Sequence, residues 1–443
     1  MLKHLLRGGG SDLDGNSWVA TFGGSSLEYG RSVAVAPDGS VYVCGVTQSA
    51  GAGNNDLFLA KFSSSGTVQW QKTLGGSGDE DGYSVAVAPD GSVYVCGCIG
   101  SYSLGAGSWN FLLVKFSSSG TVQWQKTLGG GRDDYGHSVA VAPDGSVYVF
   151  GNALSSGAGE SDFLLAKFSS SGTVKWQKTL GGGKGDYGYS VAVAPDGSVY
   201  ISGFTYSAGA GEYDFFLAKY SSSGTVQWYK TIGGSRDDEG YSVAVAPDGS
   251  VYVSGIARSA RDAGGSNFLL AKFSSSGTVQ WQKTLGGGSS SVYGRSVAVA
   301  PDGSVYVCGH TYVSGAGRGD DLLLVKFSSS GTVQWQKILY GSRDEQGQSV
   351  AVAPDGSVYV CGMTQSAGAG YYDVLLAKIT DSLIEQDTVT FGSFTFQDAS
   401  LIAKNVSLTI TSPGFSASNA NLALSNASLT VGTPSLTTNL YTL

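Results

Sequence analysis

The feature that most constrains this 443-residue chain is a repeat. Ala-Pro-Asp-Gly-Ser-Val-Tyr recurs with its proline at Pro37, Pro89, Pro143, Pro195, Pro247, Pro301 and Pro354, always 52 to 54 residues apart. Units of this length bury their apolar faces by stacking on one another, so the repeat dictates the architecture before any single residue is read. Each unit holds four short alternating runs. In the first unit they are Ser32 to Ala36, Ser40 to Val43, Leu57 to Phe62 and Thr67 to Leu74. Apolar residues recur at every second position, the strand period, and no unit shows helical spacing. Pro-Asp-Gly joins the first run to the second. Proline presets a turn dihedral, Asp bonds nearby backbone and Gly accepts the left-handed conformation. Ser-Ser-Ser-Gly joins the third run to the fourth.

Four antiparallel strands per unit, seven times over, predict an all-β fold, a seven-bladed β-propeller. Closure of the ring is also legible. The fourth, Trp-bearing run occurs at Trp70, Trp124, Trp176, Trp228, Trp281 and Trp335, six times for seven units. The missing copy precedes the first unit, at Trp18. The N-terminal strand is therefore expected to complete the last blade and leave no open end. On these residues the chain resembles the SBBP-type propeller repeat family, with NHL-like blades of the form Val-Ala-Val-x-x-Asp-Gly-x-Val-Tyr-Val. The resemblance covers about 17–380 and implies the fold; propellers of this kind mostly present binding surfaces, and some host enzymes.

Composition removes other classes. Gly counts 68, yet there is no G-X-Y period and Pro is only 9, which excludes collagen. With 41% hydrophobic residues the chain can build a core. It has no long apolar run for a membrane span, and five scattered Cys make no disulfide framework. A net charge of −8 argues against nucleic acid as a partner. Residues 1–16 read as a frayed arm: Met1 to Arg7 is too short an apolar stretch for an export signal before Gly8-Gly9-Gly10. That leaves cytoplasmic, virion-associated or non-classically exported settings open.

The units differ mainly in the loops between second and third strands and between blades, which lie at one end of a propeller. Loops on a rigid scaffold are the usual seat of function. This variable face gathers more negative charge than the whole chain nets, with Asp79, Glu80, Asp81, Asp237, Asp238 and Glu239 as its densest acidic loops. It suits a cationic patch, a divalent ion or a neutral glycan better than a polyanion. The residue preceding each innermost strand, Arg31, Tyr83, His137, Tyr189, Tyr241, Arg295 and Gln348, is expected at the mouth of the central channel. Tyr faces stack on sugar rings, and Arg, His and Gln bond hydroxyls.

No constellation reads as catalytic or metal-binding, and no cofactor is implied. Gly183-Lys184-Gly185-Asp186-Tyr187-Gly188 fits a dinucleotide fingerprint but opens no helix. Arg318-Gly319-Asp320 is explained by chance in a Gly- and Asp-rich loop. Asp56, Asp162, Asp214, Asp321 and Asp373 start third strands, where Asn110 and Asn267 also occur, as turn caps would. Cys44, Cys96, Cys308 and Cys361 share one blade position with Phe150, Ser202 and Ser254, as small core residues would; Cys98 stands apart. Lysines recurring on the Trp strand, such as Lys72 and Lys126, are expected to guard an open edge.

After Thr380 the texture changes to Ser, Thr and Asn with a seven-residue pattern, as in Asp398 to Leu401, Asn405 to Leu408, Asn419 to Leu422 and Asn426 to Leu429. Segment 381–443 is expected to form a small solenoid or sandwich of short strands that anchors the propeller or self-associates. Together these readings predict a non-enzymatic recognition or adhesion protein. It would present the variable face to a glycan or protein partner and attach through its C-terminal segment, as in a virion or surface appendage. An intracellular interaction scaffold and a glycan-active lyase or hydrolase are the alternatives.

Overall fold

The computed structural model describes residues 17–398 except 52, 101–108, 158, 210, 259–265, 287–290, 313–318, 369, 381, 382 and 384–387, together with the backbone of short strands out to Thr442. Residues 1–16 and Arg318 therefore lie outside the described residues. The repeat folds as expected, into seven sheets. β1 (Trp18–Gly23) precedes the first full blade, which comprises β2 (Glu28–Val35), β3 (Val41–Thr47), β4 (Asp56–Phe62) and β5 (Val68–Gly75). Six blades run inner to outer in chain order, and the seventh takes β1 as its outer strand. There β1 pairs antiparallel with Asp373–Ile379, from Trp18 opposite Lys378 to Phe22 opposite Val374. Ser17 Oγ and Thr380 Oγ1 meet at 2.7 Å and seal the junction.

Local chemistry accounts for the blade. In the Pro-Asp-Gly turn the Ser40 N–H donates to Asp38 Oδ1 at 2.9 Å, and Gly39 takes a φ of 79°. The same side-chain bond recurs at Asp90, Asp144, Asp196, Asp248, Asp302 and Asp355. Second and third strands are buried over nearly all their length, with Tyr42, Val43, Cys44, Phe58 and Leu59 all at or below 1% exposure. Apolar clusters bridge adjacent blades: Tyr42 and Leu59 of the first blade pack with Val93 and Val95 of the second. Cys44, Cys96, Cys98, Cys308 and Cys361 are all buried free thiols.

Two sets of hydrogen bonds tie blade to blade. On the inner strands each repeat Ser accepts, through Oγ, the N–H of the following blade's Val. The bonds run Val85–Ser32, Val139–Ser84, Val191–Ser138, Val243–Ser190, Val297–Ser242, Val350–Ser296 and Val33–Ser349, at 3.1–3.2 Å. Further out, six indole N–H groups each reach the carbonyl of a Ser-Ser-Ser-Gly turn one blade ahead, as in Trp18 to Ser64 at 3.1 Å and Trp70 to Ser118 at 3.2 Å. The turn glycine lies on the same ring: a Cβ on Gly120, whose φ is 80°, would stand 3.0 Å from Trp70.

The C-terminal segment departs from expectation. Among the described residues, apart from a hairpin of Thr388–Phe391 with Phe394–Asp398, its strands do not pair with one another. Each adds instead to the outer edge of a different blade. Phe394–Asp398 joins the sixth blade, Ile402–Asn405 the fifth, Thr409–Thr411 the fourth, Ser416–Asn419 the third, Ala423–Asn426 the second, Thr430–Gly432 the first and Thr437–Thr442 the seventh. The segment is a belt that runs backward round the rim, one blade per seven residues. Seven extended residues reach at most about 23 Å, so the heptad is the stride between neighbouring outer edges and not a coiled-coil signal. Its leading residues Asp398, Asn405, Asn419 and Asn426 fall opposite Lys337, Lys283, Lys178 and Lys126. Lys337 and Asp398 form an ion pair at 2.7 Å. These lysines thus stand beside a paired edge rather than guarding an open one. Phe391, Phe394 and Phe396 anchor the belt in the core against Trp335.

Removal of residues 381–443 should leave the outer strand of every blade unpaired. The truncated chain is expected to melt at lower temperature and to form oligomers by edge pairing, measured by calorimetry and light scattering; an unchanged melting point and a monodisperse monomer would refute the belt.

Candidate functional site: the variable face and its channel mouth

The seven channel residues lie inside the inner strands, each as the fourth residue, rather than before them. Each is the extra residue of a β-bulge, as the register shift between Gly30 and Ser32 shows for Arg31, and the same shift recurs at Tyr83, His137, Tyr189, Tyr241, Arg295 and Gln348. A bulge re-aims a side chain out of the alternation that would bury it. The glycine before it is forced by contact with the neighbouring blade. A Cβ on Gly30 would stand 2.6 Å from the Gly362 carbonyl, and one on Gly188 would stand 2.4 Å from Phe150.

Six of the seven touch in ring order. The Arg31 guanidinium lies 5.8 Å from the Tyr83 ring centre, Tyr83 and His137 centroids are 5.2 Å apart, His137 and Tyr189 5.5 Å, Tyr189 and Tyr241 5.3 Å, and Arg295 lies 4.6 Å over Tyr241. Gln348 occupies the seventh place between Arg295 and Arg31. All seven are half-buried. Tyr83 Oη donates to Asp81 Oδ2 at 3.1 Å, and Tyr241 Oη donates to Glu239 Oε2. His137 shares a hydrogen bond of 3.1 Å with Asn152 Oδ1, and burial brings its pKa down to about 4, so the imidazole is neutral at physiological pH.

A second aromatic group, not foreseen from the repeat pattern, adjoins the ring at the fourth and fifth blades. Phe204 lies 5.7 Å from Tyr189, 5.1 Å from Tyr187 and 5.1 Å from Tyr213; Tyr206 lies 5.0 Å from Tyr213. Arg258 pairs with Glu239 at 2.7 Å and also donates to Tyr213 Oη, which fixes this edge. Beside it an open depression of about 780 Å³ is lined by Lys184, Tyr206, Ser207 and Glu212. Among the described residues Tyr206, Tyr312 and Tyr371 are the exposed large apolar side chains; Tyr206 and Tyr312 directly follow second strands, and Tyr371 lies in the loop just before a third strand on the same face. A sequence signal existed: the second strand ends Gly203-Phe204-Thr205-Tyr206 only in the fourth unit.

The acidic loops divide. Asp79, Asp81, Asp237 and Glu239 are half-buried at the surface, whereas Glu80 and Asp238 are 1% and 0% exposed. The buried pair belongs to a structural series. Glu28, Glu80, Asp134, Asp186, Asp238 and Glu345 open six inner strands, and each accepts the N–H of the glycine four residues earlier. The third-strand aspartates face them across the blade junction. A Cβ on Gly75 would lie 1.4 Å from Asp56 Oδ1 and 3.1 Å from Glu80 Oε2, so the two oxygens stand within about 4.5 Å of each other. Asp162 with Asp186, Asp214 with Asp238 and Asp373 with Glu28 meet likewise over Gly181, Gly233 and Gly23. Asp321 and Glu345 are the fifth such pair. The aspartates are therefore more than turn caps, although Gly53, Gly159, Gly211 and Gly370 do donate to them.

Two carboxylates about 4.5 Å apart repel by about 4 kcal/mol at an effective dielectric of about 20. Desolvation first, and the neighbouring acids second, push Asp321 up to about 7; desolvation raises Glu80 and Glu345 to about 7 and Asp186 to about 6. Among the described residues no group of three His, Cys, Asp or Glu is placed to hold a metal ion. His310 stacks on Tyr293 at 4.8 Å, and burial with the Arg295 charge lowers it to about 3, so its 3.9 Å approach to Asp320 is no ion pair at neutral pH. Cys98 sits beside Tyr83 and Asp81 beneath the ring, its thiol pushed well up by burial.

Comparison with known proteins agrees on the fold. A family model described as a domain of unknown function (DUF5122) β-propeller matches residues 36–68, 142–174 and 194–226. The chain is a β-propeller repeat protein. The regulatory protein FlaEY of Caulobacter vibrioides is 31% identical over 134 residues, which are 27% of this chain and 14% of that protein. The chain thus matches only a small part of that relative's length. Among solved structures, the WD40 β-propeller domain of Doa1 superposes with a TM-score of 0.50 at 13% identity, over 84% of this chain and 99% of that one. The polysaccharide lyase Uly1 gives 0.48 at 11% identity, over 79% and 90%.

The buried pairs set a pH dependence. A carboxyl whose folded pKa is raised contributes stability that is full below its unfolded value, near 4, and lost as pH rises through its folded value. The chain is therefore expected to melt at higher temperature at pH 5 than at pH 8, and Asp321→Asn should flatten that difference. A melting point that rises from pH 5 to 8 would contradict it.

Proposed function

We propose that this chain is a non-enzymatic recognition protein, an adhesion module of the SBBP type that presents its variable face to a partner. The observation that carries the reading is the bulge ring. Seven blades that are near copies along their strands each use a bulge to aim one side chain at the channel mouth, and that side chain differs between blades: Arg, Tyr, His or Gln. A purely structural plug would tolerate one residue repeated seven times. Aromatic faces beside hydrogen-bonding Gln, Arg and His suit a glycan, since a pyranose stacks on Tyr and its hydroxyls bond the polar members. The aromatic shelf of Phe204, Tyr206 and Tyr213 extends the same surface outward. In this reading the belt fastens to the propeller rim and offers its own outer edge for self-association or mounting on a particle such as a virion.

A glycan array tests the reading directly. Binding of a defined glycan that weakens about tenfold in Tyr189→Ala and Tyr241→Ala, with an unchanged melting point, is the expected result. Capture of a protein partner with no glycan bound would move the assignment to an interaction scaffold. A product released from a bound glycan, and lost in Tyr83→Ala, His137→Ala or Tyr189→Ala, would make the chain an enzyme.

A further inference from the structure

The ring is not uniform round its circumference. Tyr83, His137, Tyr189 and Tyr241 follow one another on the second to fifth blades, while Arg295, Gln348 and Arg31 follow one another on the sixth, seventh and first. One arc is aromatic and the other carries two guanidinium groups flanking an amide. We propose that this mouth takes a sugar acid end-on, its carboxylate bound by Arg295, Gln348 and Arg31 and its pyranose ring laid against the tyrosine arc. The inference rests on the glycan reading above and names the class of sugar.

The state of the two arginines supports it. Arg258, on the same face, is engaged by Glu239 at 2.7 Å. Among the described residues, neither Arg31 nor Arg295 forms an ion pair. The Nε of each is shielded from solvent and has no hydrogen-bond partner. A buried, unanswered guanidinium donor is costly, and an incoming anion removes the cost. Both groups are already positioned by aromatic faces, Arg295 by Tyr241 at 4.6 Å and Arg31 by Tyr29 and Tyr83 at 5.3 and 5.8 Å. Their planar forks match a carboxylate in geometry, which an ammonium would not. The acids near them are occupied elsewhere: Asp81 accepts from Tyr83, and Asp320 accepts from Gln346 Nε2 at 2.7 Å.

Size and surrounding charge narrow the ligand further. The five contacts from Arg31 round to Arg295 are 4.6–5.8 Å long, and seven places at about that spacing would enclose a circle about 12 Å across between side-chain centres, room for one sugar ring after van der Waals contact. Asp79 and Asp81 at the second blade and Asp237 and Glu239 at the fifth stand on the same face and repel a polyanionic chain laid across it. A single anionic sugar entering end-on escapes most of that repulsion. His137 is neutral and so adds a hydrogen bond and no charge.

Calorimetric titration of the full chain with glucuronate, glucose and acetate tests the assignment. Glucuronate is expected to bind at least tenfold tighter than either of the others and to weaken with added salt. Arg31→Gln and Arg295→Gln should each weaken glucuronate much more than glucose, so that the two sugars bind with similar affinity; Tyr189→Ala should weaken both sugars. Circular dichroism and melting point confirm that each variant folds. Equal affinity for glucose and glucuronate would overturn the sugar-acid assignment and leave the glycan site standing. Acetate as tight as glucuronate would overturn the stacking half. Binding of neither sugar would remove this inference together with the glycan reading.

Discussion

The hydrogen bond on which the rest depends joins a Ser Oγ of one inner strand to the Val N–H of the next. An innermost propeller strand has a free edge facing the channel, and the N–H groups on that edge need acceptors that no further strand of its own sheet supplies. Here the acceptor comes from the adjacent blade, and seven such bonds close on themselves from Val33–Ser349 to Val350–Ser296. They fix how far each blade is rotated from the last. That rotation brings Trp70 to Ser118 at the rim and stacks Tyr42 with Leu59 and Val93 in between. It also spaces the bulges so that Tyr83, His137, Tyr189 and Tyr241 meet one another rather than pointing into separate gaps.

Glycine serves this geometry in two distinct ways. In the turns it supplies positive φ, as at Gly39 and Gly120. At blade junctions it supplies absence of volume, because a carboxylate lies where its Cβ would be, as Asp56 does for Gly75. The acid pairs placed there are unusual in that Asp occurs at the third-strand position only where an acid also opens the next inner strand. Where that strand opens with Val292, the third-strand residue is Asn267. Between the second and third blades Asn110 stands opposite Asp134. A loop cap alone would be served by Asn throughout; the coupling shows that the two acids are placed together, and at Asp321 desolvation and the neighbouring acid charge raise the carboxyl to about 7.

Much of this was legible in the chain. Period-two alternation between fixed turn signals defined four strands per unit, and the count of Trp strands located the closing strand at Trp18. Tyr83 to Gln348 were recognisable as a ring because they share one offset from the repeat. What could not be read was their status as bulge residues, since a bulge depends on the partner strand's register. Glu80 and Asp238 looked like surface acid for the same reason: a loop residue four positions after a glycine carries no mark of being folded back onto that glycine's N–H. The shelf at Phe204 and Tyr213 joins two strands and a loop, and only packing unites them.

By itself the sequence determined the number of blades, their strand order, the turns and the N-terminal closure, because these rest on local periodicity and on dihedral preferences that act within a few residues. Tertiary structure alone decided where the C-terminal heptads go. Their seven-residue period records a distance round a rim that exists only once the propeller has formed, so no local preference could reveal it. It likewise decided that two arginines remain unanswered while a third is paired, a distinction set by which carboxylates the folded face brings within reach.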